Sequence, residues 1–151
     1  MSERSISIRL KIPDNEAYTA LTALRRLDVA VEKMERSEIW RVADSGDGAT
    51  LADRVESNES IFNSNKHRLT VLEANGPRRG EAWVYELPTS GGDGAVEHDT
   101  MGGKNIPGVT RARRYVGWRL FDAQGQPVER HVLEAAVERL LCNPAIEKAL
   151  Y

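Results

Sequence analysis

The sequence predicts a single α+β domain, 1–151: a ferredoxin-like, split βαβ sandwich, with two helices on one face of a mainly antiparallel sheet. Three observations predict it. The first forty or so positions read as strand, helix, strand. The stretch Arg113–Tyr151 reads as strand, tight turn and amphipathic helix. The section between, 43–112, is strand-rich and reads as an insertion carrying a hairpin and a Gly-rich loop.

Ile6, Ile8, Leu10 and Ile12 alternate with Ser7, Arg9 and Lys11, which predicts a strand with one face in the core and the other in water. Pro13 ends it. Asp14 or Asn15 then caps a helix, with Glu16 placed well for its dipole. Ala17, Leu21, Leu24 and Leu27 give that helix one apolar stripe. Val31–Ala43 is extended, but its alternation slips: Val31 and Ile39 share one parity, Met34, Trp40 and Val42 the other. The slip predicts a bulge or bend, or two short strands, Val31–Arg36 and Glu38–Ala43.

Asp44–Thr50 reads as a turn or loop, Leu51–Phe62 as holding a short helix, and Asn63–Asn65 as a loop. Arg68–Glu73 and Glu81–Leu87 are strand candidates, joined by Asn75–Gly80 as a hairpin loop. Pro88–Ala112 has no apolar periodicity and is rich in glycine; it reads as disorder or an oligomer-contact arm, or as a ligand loop. Tyr115–Phe121 is a strand and Asp122–Gly125 a turn. Pro127 suits a first helical turn, and Leu133, Ala136, Val137, Leu140 and Leu141 form a second apolar stripe. Asn143-Pro144 then starts a short terminal helix.

The chain is 40% hydrophobic and 29% charged, ordinary for a soluble globular protein. Its net charge of −2 gives no general attraction to nucleic acid or anionic membrane, and neither is an expected partner. Cys142 is the single cysteine, so no internal disulfide forms, which fits a reducing cytosol. The N-terminus alternates polar and apolar residues and lacks a signal-peptide core. The expected location is cytoplasmic.

No catalytic constellation, metal site or cofactor motif stands out. His67, His98 and His131 have no Cys or His at metal-ligand spacing. His131, with Glu134 and Glu138, reads as an exposed helix face, and His98-Asp99 as loop residues. Cys142 lies at a helix C-terminus, where the dipole disfavours thiolate, and reads as a core thiol. Gly91-Gly92-Asp93-Gly94 and Gly102-Gly103-Lys104 offer backbone amides to a phosphate, without a Walker or dinucleotide fingerprint. With Arg111, Arg113 and Arg114, the residues Gly102, Gly103 and Lys104 make a candidate ligand set in the loop 88–114. Trp40, Trp83 and Trp118 are candidate interface residues, since Trp and Arg are enriched at protein contacts.

Two stretches resemble the PurS family, the small subunit of bacterial and archaeal phosphoribosylformylglycinamidine synthase. One is Ile6–Leu27, IRLKIP with a helix ending ALRRL, followed by VEKMERSEIWRV. The other is the phrase Leu140-Leu141-Cys142-Asn143-Pro144-Ala145-Ile146-Glu147. The chain departs from the pattern in the insertion 43–112 and in stopping at Tyr151, where the family continues into a final strand. The resemblance implies a non-catalytic assembly subunit, a homodimer or tetramer that bridges an ATP-dependent synthetase subunit and a glutaminase subunit. That complex makes the amidine of formylglycinamide ribonucleotide from ATP and glutamine-derived ammonia. A different reading, from the residues alone, is a small-ligand or phosphate-binding module built on 88–114.

Overall fold

Pro13 and Asp14 set the first boundary of the chain. Strand β1 (Ser2–Leu10) ends before them, and Asp14 caps helix α1 (Asn15–Arg26) by accepting from the backbone N–H of Glu16 and Ala17 at 3.0 and 3.2 Å. Strand β2 (Lys33–Asp44) follows. A 3-10 turn and helix α2 (Leu51–Glu56) lead to strands β3 (His67–Val71), β4 (Glu81–Glu86) and β5 (Glu97–His98). Strand β6 (Val109–Phe121) then feeds helix α3 (Arg130–Ala136), which runs on as a π-helical turn, Val137–Leu141, before strand β7 (Glu147–Leu150). These elements come from a computed structural model that describes residues 2–89, 91 and 94–151.

The fold is α+β, with a mostly antiparallel seven-stranded sheet in the order β3-β1-β2-β6-β4-β7; β5 also pairs with β6. The connectivity differs from a split βαβ unit. β1 and β2 are direct antiparallel neighbours, from Ser2↔Asp44 to Ile8↔Glu38, with no strand between them. Asn75–Gly80 is not a hairpin loop either. β3 pairs with β1 and β4 with β6, so the connection must cross the sheet.

That crossing explains a second correction. The polar face of β1 is wet only in part: Arg9 is half-buried and Lys11 exposed, while Ser5 and Ser7 are buried along with Ile6 and Ile8. The crossing segment lies over them, where Ser5 Oγ donates to Asn75 Oδ1 at 3.0 Å and Asn75 Nδ2 donates to the Glu3 carbonyl at 2.8 Å. Leu72 N–H donates to the Ser5 carbonyl at the start of the crossing.

β2 is one strand, and its only register shift falls at Ala43/Asp44. Its alternation slips because both its faces are buried. Met34, Trp40 and Val42 face the helices, while Ile39 packs on the other face with Trp83, Tyr85 and Tyr115. Both helical stripes lie on the first face, apart from Leu27 and Leu140, which are exposed; there α1 and α3 cover Met34, Ala82, Val84, Trp118 and Leu120. Helix α2 and the Met101–Ile106 segment cover a separate cluster of Ile6, Ile8, Trp40, Val42 and Ala112 on that same face.

The C-terminus also differs from expectation. Asn143 does cap a turn, since Ala145 N–H donates to its side chain at 3.1 Å. No helix follows, because the chain extends and pairs with β4 from Tyr85↔Lys148 to Trp83↔Leu150. A short strand, β7, thus follows the Asn-Pro phrase. Where β4 begins, Gly80 has φ +74° and a Cβ there would sit 2.8 Å from Pro127 Cβ, so only glycine fits without strain.

Candidate functional site

On the helix-bearing face, the core parity of two adjacent strands is broken by charge. β2 runs Met34, Arg36, Glu38, Trp40, Val42 on this face, and β6 runs Ala112, Arg114, Val116, Trp118, Leu120. Glu38 lies opposite Val116, and Trp40 opposite Arg114. The charged positions therefore fall together between the two apolar clusters. A cleft results. One lobe, about 150 Å³, is lined by Arg36, Glu38, His67 and Arg114; the other, about 280 Å³, by Glu86, His98, Arg114 and Glu147. Arg114 and Val116 belong to both lobes.

The polar groups of the first lobe are held in place. Arg36 Nε donates to Asp14 Oδ2 at 3.0 Å, and its Nη1 lies 2.8 Å from Glu16. Asp14 thus both caps α1 and ties it to β2. Glu38 Oε1 accepts from the Trp40 indole N–H at 2.6 Å, while its other oxygen lies 3.6 Å from Arg114 Nη2. His67 Nδ1 accepts from the Asn63 N–H at 3.0 Å, so the neutral ring carries its proton on Nε2. In the second lobe Glu86 and Glu147 are direct cross-strand partners, two like charges side by side.

The expected ligand set does not gather at one point. Gly102 and Gly103, both with positive φ, form the two-residue turn of a small bridge in which Met101 and Lys104 exchange backbone bonds of 3.1 and 3.0 Å. The glycines serve the turn, and Lys104 is exposed beyond it. Arg111 and Arg113 pair with Glu97 at 3.9 and 2.9 Å. Arg113 and Arg114 are consecutive in β6, so they point to opposite faces. Of the six residues, Arg114 alone lines the cleft. The candidate cradle Gly91-Gly92-Asp93-Gly94 lies partly outside the described residues, at Gly92 and Asp93.

The expected interface tryptophans are core residues instead. Trp118 belongs to the α1–α3 cluster, Trp40 to the α2 cluster and Trp83 to the opposite face, and each is buried. Trp83 donates its indole N–H to the buried Glu81 at 3.1 Å, and Glu81 also holds Arg78 at 2.8 Å. That bond from Glu81 raises the Arg78 pKa against the opposing effect of burial.

His131 is exposed and lies 3.3 Å from Glu129, not Glu134, which instead holds Arg130 at 3.0 Å. His98 is exposed as well. Burial, with a smaller effect from Glu147, pushes the Cys142 thiol pKa up, so this sulfur is not an activated nucleophile. Among the described residues no group of three or more His, Cys, Asp or Glu is placed to hold a metal ion, and no helix is long and apolar enough to cross a membrane. Neither a family model nor a curated protein matches the chain.

Arg36, Glu38 and Glu147 were not singled out as functional from the sequence. Their signal was there for β2: two charges on a parity otherwise apolar. Reading it required the β2–β6 register, which the sequence does not supply.

Proposed function

We propose that this chain is a non-catalytic assembly subunit of the cytoplasm, a homodimer or tetramer that joins larger partner subunits. By its resemblance to PurS, the proposed partners are the synthetase and glutaminase subunits of phosphoribosylformylglycinamidine synthase, and the proposed process is purine biosynthesis. One observation carries the reading. The two separated stretches that hold the resemblance fold into one unit. β1, α1 and β2 fold together, and Leu141 and Cys142 of the second stretch pack against the core that α1 covers. The insertion adds β3 beyond β1, and its β4 stands between β6 and β7, the strand that follows the Asn-Pro phrase. The sheet ends in two short strands, β3 and β7, whose outer sides carry no strand among the described residues.

Affinity purification of the tagged chain from its native cell tests this. The reading expects co-purification of a synthetase subunit or a glutaminase subunit. Recovery of a homo-oligomer with neither contradicts the PurS-like part and leaves other partners.

A second reading is favoured by Arg114. Its guanidinium stands in the cleft with one carboxylate contact among the described residues, at 3.6 Å, and His67 lines the same lobe. A small phosphorylated or carboxylated ligand fits those donors. A ligand that binds only the folded chain raises its melting temperature. A phosphorylated-metabolite panel that shifts the wild type and not Arg114→Gln supports this reading; a panel without a shift removes it.

A further inference from the structure

β1 leaves β2 after the pair Ile8↔Glu38 and continues alongside β3, where Lys11 N–H donates to the Lys66 carbonyl at 2.8 Å. Among the described residues the first part of β2, Lys33–Ser37, is therefore paired on one side only, with β6. The direction of its backbone groups follows from its neighbour. Leu120 donates its N–H to the Gly80 carbonyl at 2.9 Å and accepts from Val128 N–H at 3.0 Å, both on the side away from β2. Met34 lies opposite Leu120, so antiparallel alternation turns the N–H and C=O of Met34 and Arg36 to the open side. Buried backbone groups need partners, and of the two open-side residues Met34 is buried and Arg36 half-buried.

Beside this edge runs a groove of about 400 Å³ between β2 and the start of α1. Its helix-side wall is an exposed apolar pair, Tyr18 at 71% and Ile12 at 54%. Its other side carries three basic residues around Glu35, which pairs with Arg9 and lies 4.0 Å from Lys33. Arg9 and Arg68 are cross-strand partners there, Lys33 stands beside them, and Arg68 has no ion pair among the described residues. Five basic and three acidic residues line the groove, a local positive excess in a chain of net charge −2.

We propose that this edge docks an extended acidic segment of a partner protein, which adds as a strand beside Lys33–Ser37. Main-chain bonds to Met34 and Arg36 supply affinity, and alternate side chains supply specificity. Apolar residues of the segment rest on Ile12 and Tyr18. The acidic residues between them point to the opposite face, toward Arg9, Lys33 and Arg68. The inference rests on the assembly reading and names the surface that takes the partner.

Amide exchange of the full chain, read residue by residue, tests it. The probes are a blocked heptapeptide of alternating Val and Glu and its Val and Lys counterpart. Met34 and Arg36 amides exchange fast in the free chain at low concentration, while Glu35 and Ser37, which face β6, exchange slowly. The Val/Glu peptide slows Met34 and Arg36 by about tenfold or more, and the Val/Lys peptide does not. Tyr18→Asp weakens Val/Glu binding about tenfold with an unchanged urea midpoint, because Tyr18 is a surface residue. If neither peptide protects these amides, or both do so equally, the proposal is overturned. Protection in the free chain that grows with protein concentration overturns it too, in favour of a second copy on this edge. Partner capture without this protection sinks only the surface assignment; protection without the proposed subunits sinks only the PurS-like reading.

Discussion

Asp44 and Arg54 are joined by two parallel bonds of 2.9 Å, Nη1 to Oδ1 and Nη2 to Oδ2. The carboxylate is fully buried, and Arg4 adds a third contact at 3.4 Å. Arg54 also donates to the Asp47 carbonyl at 2.8 Å, and Gly46 N–H donates to Asp44 at 2.9 Å. The pair thus pins α2 to the end of β2 and holds the cover on the Trp40 cluster. Asp44→Asn breaks the bidentate pair and leaves Arg54 without its counter-charge. The expected loss is about 3 kcal/mol by urea unfolding at pH 7.

The same pair gives a pH dependence. The bond from Arg54 holds the Asp44 pKa below its ordinary value, against the opposing effect of burial. A depressed carboxylate stabilises the fold fully above the unfolded pKa, about 3.9. That stability is lost as pH falls through the lower folded value. Urea midpoints of wild type and Asp44→Asn should therefore differ by a constant amount from pH 7 to about pH 5 and converge below about pH 4. A gap that widens on acidification contradicts this assignment.

Glu81 is the second buried carboxylate, on the opposite face. Glu81→Gln keeps the shape and removes the charge that Arg78 and the Trp83 indole address. Destabilisation of about 2–3 kcal/mol is expected, together with a change in Trp83 emission. An unchanged midpoint would show that Arg78 finds solvent at no cost.

Glu86 and Glu147 face each other across β4 and β7. Glu86→Gln relieves the repulsion and should stabilise the chain by about 0.2–1 kcal/mol, more at low salt than at high. Equal midpoints at both salt concentrations would place the two carboxylates too far apart to interact.

The sequence carried the local elements well and the long-range pairing poorly. The Asp14 cap, the α1 stripe and the Leu133–Leu141 stripe follow from spacing that any observer of the chain can count. β3 and β4 were also legible as strands, from their alternation and β-branched and aromatic content. What joins them was not. Asn75–Gly80 has hairpin composition, yet Asn75 spends its side chain on Ser5 and Glu3 across the sheet. Pairing between strands is a tertiary choice, so turn composition alone misled. The slip in β2 was visible, but a bulge and a doubly buried strand leave the same trace in one sequence. The terminal EKAL segment reads as helix by propensity and becomes a strand because β4 offers an edge to it. At the site, Arg114 was singled out beside Arg111 and Arg113. Strand alternation then sends it to the other face, away from its neighbour Arg113 and into the cleft.

The molar mass of the purified native chain in solution, by light scattering over a wide concentration range, tests the assembly account most directly. The account predicts a stable mass of two or four times the 16.8 kDa of one chain. A mass of one chain at every concentration would contradict it.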